Sequence, residues 1–148
     1  MARITLAQQI EAPVELVFKT ISEIEYFSKA VPEIVSYEIL SETKAGLSTR
    51  FRETRVTNGK EMHTELEITE FIDNEHVRMV ADSHGTVWDT LFTFQESQGQ
   101  TLVTVVMDAK AHKLLLKLLN PLLKGLYKKG IKKNMEDVNS YLIKNKNS

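Results

Sequence analysis

Residues 113–144 read KLLLKLLNPLLKGLYKKGIKKNMEDVNSYLIK, a leucine- and lysine-rich run at helical spacing. Wound as one straight helix, its apolar positions fall on two different lines. Leu115, Leu119, Leu122 and Leu126 point one way; Leu123, Tyr127, Ile131, Met135, Val138 and Leu142 point another. A break at Asn120-Pro121 reconciles the two sets. Asn is a good N-cap and Pro suits the first helical position, whereas Pro inside a helix costs roughly 3 kcal/mol. The spacing therefore predicts a short helical flap over residues 112–119 and a main helix over residues 121–144. Lys128, Lys129, Lys132 and Lys133 then face away from the stripe that carries Tyr127 and Leu142.

Upstream of this stretch the chain mostly alternates. Residues 3–11 put Ile4, Leu6, Gln8 and Ile10 on one face, which predicts a strand with one apolar side. Pro13 opens a helix with Val14, Val17, Phe18 and Ile21 on one stripe. A second helical piece over residues 24–31 carries Tyr26, Phe27 and Val31, and Pro32 stops it. Period two then predicts strands over residues 34–41, 47–57, 60–72, 76–83, 86–96 and 100–109. Asn58-Gly59, a strong hairpin signal, separates two of them, and His84-Gly85 and Gln98-Gly99 separate others. The expected class is α+β, with a seven-stranded antiparallel sheet and one domain over residues 1–148.

The 148 residues are 42% hydrophobic and 26% charged, proportions that support a packed core without metal or disulfide help. No cysteine is present, which excludes a disulfide framework, a thiol nucleophile and a thiolate metal site. The opening MARITLAQQIEAP has no apolar h-region, and no apolar run is long enough to span a membrane, so a cytoplasmic protein is expected. Residues 1–109 hold nine Lys/Arg against eighteen Asp/Glu, whereas residues 110–148 hold ten Lys against two acids. Two readings of this asymmetry stand: a basic helix complementing an acidic sheet, or a basic face offered to an anionic membrane or polyanion. The acidic sheet and the absence of a nucleic-acid motif argue against nucleic acid as a partner.

Several short motifs occur in a telling order. They are Ile10-x-Ala12-Pro13-x-x-x-Val17-Phe18, the Pro32 segment, Gly46-x-x-x-x-Phe51-Arg52-Glu53 and Glu67-x-Thr69-Glu70-Phe71. Asp82-Ser83-His84-Gly85-Thr86, Phe92-x-Phe94 and the final Asp137-x-x-x-Tyr141-Leu142 follow. Each is weak alone, but together they resemble the START-like superfamily, also called SRPBCC, of the polyketide cyclase/dehydrase type. The resemblance spans nearly the whole chain. It implies a helix-grip fold (β-α-α-β6-α) whose curved sheet wraps a long C-terminal helix and encloses a cavity for small hydrophobic or amphipathic ligands.

On that arrangement, Thr49, Phe51, Glu53 and Arg55 share the strand face that looks inward, with Glu53 and Arg55 able to pair or to orient a polar group. A one-residue slip would turn Arg50, Arg52 and Thr54 inward instead. The expected cavity lining adds Ile21, Phe27 and Val31 from the first helices. Met62, Thr64, Met79, Ala81, Trp88, Thr90, Phe92 and Met107 are the expected contributions of the strands. Leu122, Leu123, Leu126 and Tyr127 are those of the main helix. Entry is expected near the first helices and the start of the main helix. His63, His76, His84 and His112 show no metal-ligand spacing, so neither metal nor cofactor is expected. A triad of Asp82, Ser83 and His84 is implausible for adjacent residues. Three functions follow. The first is ligand binding by a monomer or weak homodimer. The second is cyclase/dehydratase chemistry, with Glu53 as acid/base and Arg55 or His84 stabilising an oxyanion. The third is a membrane-surface or partner-binding module using the basic helix.

Overall fold

A computed structural model describes residues 2–146. Strand β1 (Ala2–Ile10) leads into helices α1 (Val14–Ser22) and α2 (Ile24–Ala30). Strands β2 (Ile34–Ile39), β3 (Arg50–Thr57), β4 (Lys60–Ile72), β5 (His76–Ser83), β6 (Thr86–Ser97) and β7 (Gln100–Ala111) follow, then helices α3 (Leu114–Leu119) and α4 (Lys124–Asn145). The sheet runs β1-β7-β6-β5-β4-β3-β2 and every neighbouring pair is antiparallel. This is the helix-grip fold that the resemblance implied.

Local chemistry explains the meander. The Asn58-Gly59 pair has φ of 53° and 76°, the two positive angles that a right-twisted two-residue hairpin requires. His84 (φ 53°) and Gln98 (φ 55°) open the β5–β6 and β6–β7 turns in the same way. Register shifts between Ile34 and Ser36 and between Ile68 and Glu70 add bulges, which bend strands. Strand β3 starts at Arg50 rather than at residue 47. Gly46 (φ 87°) and Ser48 (φ 72°) take left-handed angles that no strand tolerates.

The core fills only part of the space under the sheet. Ile131, Met135, Val138 and Leu142 form the buried stripe of α4, and none of them falls in residues 124–130. They pack with Ile4, Ile10, Val17, Ile21, Val103 and Val105. Phe18 sits edge-on to Phe71 and Phe94 at 5.2 and 5.0 Å between ring centres. The first turns of α4 contribute no buried residue, and beneath them the molecule is hollow.

The helical break falls where expected but is built differently. Asn120 is not an N-cap: its backbone is helical (φ −56°, ψ −42°) and closes α3 with a bond from its N–H to the Leu116 carbonyl. The Leu122 and Leu123 amides still reach the Leu119 carbonyl, so the chain kinks through Pro121 and α4 begins only at Lys124. Pro13 likewise precedes its helix, and the Val14 amide is satisfied from across the sheet by Glu96 Oε1 at 3.1 Å.

Candidate functional site

The hollow is a cavity of about 580 Å³, a volume ordinary for a small-molecule site. Its floor is the concave sheet face. Cross-strand register sets Met79, Thr90 and Met107 side by side on β5, β6 and β7. Phe51 opposes Leu66, and Glu53 opposes Thr64, on β3 and β4. Ile21, Ile24 and Phe27 of α1 and α2 form one wall; Leu116, Leu126, Tyr127, Ile131 and Met135 form the roof. Thr57, Met62, His84 and Leu126 line the space yet remain exposed, which marks the opening. It lies between the β3–β4 hairpin, the β5–β6 turn and the start of α4. Of the lining residues on the first helices, Ile21 and Ile24 are buried and Phe27 is half-buried.

Two polar clusters interrupt the apolar wall. In the first, Arg55 Nε donates to Glu53 Oε1 at 2.9 Å and an Nη1 proton goes to Asn134 Oδ1 of α4 at 3.1 Å. Glu33 lies 3.8 Å from both Arg55 and Lys133. These contacts tie β3 to the middle of α4. Arg55 Nη2 keeps free donors among the described residues, in the planar fork that suits a carbonyl or carboxylate. In the second cluster, Tyr127 Oη donates to Asn120 Oδ1 at 2.7 Å and Asn120 Nδ2 donates to Thr86 Oγ1 at 3.2 Å. Trp88 stands edge-on to Tyr127 at 4.9 Å. Burial pushes the Tyr127 phenol up from its ordinary value, so at neutral pH it is a proton donor with a lone pair to spare. The hydroxyls of Thr64 and Thr90, half-buried in the wall, bond to no other side chain among the described residues.

Of the residues expected at the site, Ile21, Phe27, Phe51, Glu53, Arg55, Met62 and Thr64 line the cavity. So do Met79, Ala81, Trp88, Thr90, Phe92, Met107, Leu126 and Tyr127, with His84 at the opening. The β3 register therefore carries Glu53 and Arg55 inward rather than Arg50 and Arg52. Val31 does not reach the cavity, because it is fully buried in the core where α2 ends. Leu122 is 80% exposed and points to solvent, and Leu123 lies half-buried in the kink. Placing both inward requires a straight helix from Pro121, which the kink rules out. Asn120, Asn134, Thr86 and Leu116 are lining residues that periodicity misses. Leu66, which alternation places on the same strand face as Met62 and Thr64, lines the cavity as well, and Val105 could have been found, since it shares a strand face with Met107.

Asp82, Ser83 and His84 make no triad. Ser83 Oγ meets His84 Nδ1 at 2.6 Å, but Asp82 pairs instead with His112 at 3.0 Å. No group of three or more His, Asp or Glu gathers as a metal site among the described residues. Among them, no helix is long and apolar enough to cross a membrane.

A family profile described as polyketide cyclase / dehydrase and lipid transport matches residues 1–142. The chain belongs to this family. No curated protein sequence matches it. Among solved structures, it resembles a START superfamily protein from Mycobacterium smegmatis, at 15% identity and TM-score 0.81 over 97% of this chain and 99% of that one. It also resembles TTHA0849 from Thermus thermophilus, at 19% identity and TM-score 0.77 over 95% and 97%. A third likeness is to BexL, a di-domain ARO/CYC protein of the BE-7585A biosynthetic pathway. There the identity is 12% and the TM-score 0.78, over 98% of this chain and 48% of that two-domain chain. At these identities the likeness is one of fold.

Proposed function

We propose that the cavity binds one small amphipathic molecule, largely apolar, whose polar group is read by Arg55, Thr64, Thr90 and Tyr127. The observation that carries this reading is the hollow itself. About 580 Å³ lies under the first half of α4, whose buried stripe reaches it only with Ile131 and Met135, and a protein interior ordinarily leaves no such void. Apolar walls supply the affinity, at roughly 2.5 kcal/mol per 100 Å² of ligand surface buried. The open donors of Arg55 and the hydroxyls of Thr64, Thr90 and Tyr127 orient the molecule. Met62, Met79 and Met107 let the wall adapt to its outline.

Native mass spectrometry of the purified protein is expected to show a carried small molecule, or the protein is expected to take up 1-anilinonaphthalene-8-sulfonate with a fluorescence gain. Thr90→Trp, which fills the centre of the floor, is expected to weaken probe uptake at least about tenfold while keeping the fold. An empty wild type that also excludes the probe would overturn the reading.

A second reading rests on the Glu53–Arg55 pair at the cavity wall and on the family's cyclase and dehydrase members. In it Glu53 exchanges a proton with the ligand and Arg55 stabilises the developing oxyanion. Glu53 is engaged by Arg55 and no histidine bonds to it among the described residues, which favours the binding role. A Glu53→Gln variant that binds ligand and loses turnover would favour catalysis.

A further inference from the structure

Five leucines stand in solvent on one corner of the molecule: Leu114 (76% exposed), Leu115 (65%), Leu118 (66%), Leu122 (80%) and Leu126 (64%). One exposed leucine is ordinary, but five within thirteen residues form a patch that a monomeric soluble surface seldom carries. Leu114, Leu118, Leu122 and Leu126 follow each other at four-residue steps. Across the kink the Leu122 and Leu123 amides remain bonded to the Leu119 carbonyl.

The patch is held outward. The inner face of α3 is anchored: Leu116 points into the cavity and buried Asn120 bonds Thr86. The His112 amide bonds the Gly85 carbonyl at 3.0 Å. Gly85 packs so closely under α3 that a Cβ there would lie 2.6 Å from Lys113 Cδ. With its polar and cavity-facing side fixed, α3 has its three exposed leucines directed away from the protein.

Charge singles out the occupant. Residues 110–135 contain eight lysines and no Asp or Glu, in a protein whose other residues are predominantly acidic. Of these eight, only Lys133 forms an ion pair among the described residues. The basic helix is thus not neutralised by the acidic sheet. Lys113, Lys117, Lys124 and Lys128 are exposed around the leucines. A second copy docking by the same patch would set lysine against lysine. An apolar centre ringed by uncompensated cations fits the boundary between headgroups and acyl chains.

We propose that the α3–α4 corner docks on the surface of an anionic lipid bilayer. Leu114, Leu115, Leu118 and Leu122 enter the acyl boundary, and the surrounding lysines meet lipid phosphates. Leu126 belongs both to this patch and to the cavity opening, so docking turns the opening toward the bilayer. The docking itself does not depend on a cavity ligand.

The test is co-sedimentation of the full chain with vesicles of phosphatidylcholine alone and of phosphatidylcholine with about a third phosphatidylserine. Binding to the anionic vesicles is expected, weakened severalfold by roughly 0.5 M salt. The double variant Leu114→Glu/Leu118→Glu is expected to lose at least about tenfold in vesicle affinity. Lys117→Glu/Lys124→Glu should abolish the preference for anionic lipid. All four positions lie outside the cavity lining, so uptake of 1-anilinonaphthalene-8-sulfonate without vesicles should be unchanged; that separates failure of docking from failure of the cavity reading. Wild type that stays in the supernatant with both vesicles overturns the proposal, as does equal binding by the leucine variant. Vesicle-free sedimentation velocity showing self-association that the leucine variant abolishes would assign the face to a second copy and overturn it as well.

Discussion

Asn120 is 2% exposed, sits between two helices, and is the residue whose neighbours explain most about this site. Its amide takes a proton from Tyr127 and gives one to Thr86, so it pins the roof to the β5–β6 turn. Removing one partner of a buried bond leaves the other unsatisfied, at about 1–3 kcal/mol. Tyr127→Phe is therefore expected to lower stability by about that amount and Asn120→Ala by at least as much, measured by urea unfolding. The double variant Asn120→Ala/Tyr127→Phe should lose less than the sum, since the bond between the two is then lost only once and Thr86 alone is left without its partner. Equal and additive losses would mean that the bonds carry no coupling. The same contact sets a pH signature. A phenol pushed up by burial keeps its proton in the folded state where the unfolded chain would release it, so stability falls as pH rises above about 10. In the sequence, Asn120 reads as a cap, because Asn-Pro before an apolar run is what a helix start looks like. Its tertiary role is invisible there: both partners are brought in by the fold, from 34 residues upstream and seven downstream.

Helix α4 has two ends with different energetics. Leu142 is 8% exposed in the core, whereas Leu122, just ahead of the helix, is 80% exposed. The same substitution should separate them. Leu142→Ala is expected to cost about 2–5 kcal/mol, the range for deleting a buried leucine, while Leu122→Ala should fall within about 0.5 kcal/mol of wild type. Thermal or urea unfolding of the pair is the measurement; comparable losses would mean that the corner is packed. Helical periodicity identifies Ile131, Met135, Val138 and Leu142 correctly, because a stripe against a sheet obeys a fixed angular step. It misplaces Leu122 and Leu123, because hydrophobicity alone assigns leucine inward. Where a helix turns its leucines outward, the pattern keeps its period and loses its meaning. The strands read more faithfully. Alternation plus hairpin signals at Asn58-Gly59, His84-Gly85 and Gln98-Gly99 leaves little freedom, since a one-residue slip would invert every side chain. That constraint puts Glu53 and Arg55 on the cavity face, with Arg52 outward between Glu38 and Glu65.

At the scale of the molecule, the concave face of the sheet holds the cavity and part of the core, and the other face carries paired charges. Arg3 and Asp108 oppose each other across β1 and β7, bonded at 2.7 Å. Arg78 of β5 bridges to Asp89 of β6 at 2.8 Å and to Glu70 of β4. The charge row thus spans five strands, from one edge to beyond the middle. Asp108 is buried, but its partner Arg3 and the other members are at least partly exposed, so each pair adds little at neutral pH. Their titration nonetheless has a fixed sign. The hydrogen bond from Arg3 holds Asp108 below its ordinary value, and that from Arg78 does the same for Glu70. A carboxylate depressed in the folded state contributes stability that is fully present above its unfolded value, roughly 4 to 4.5, and lost as pH falls through the folded one. Unfolding midpoints are therefore expected to be flat from about pH 5 to about pH 8 and to drop below about pH 4.5. An Asp108→Asn/Glu70→Gln variant should begin less stable at about pH 7 and lose less over the acid range, so that the two curves converge near about pH 2. Parallel curves would show that the acid sensitivity resides elsewhere than in these two carboxylates.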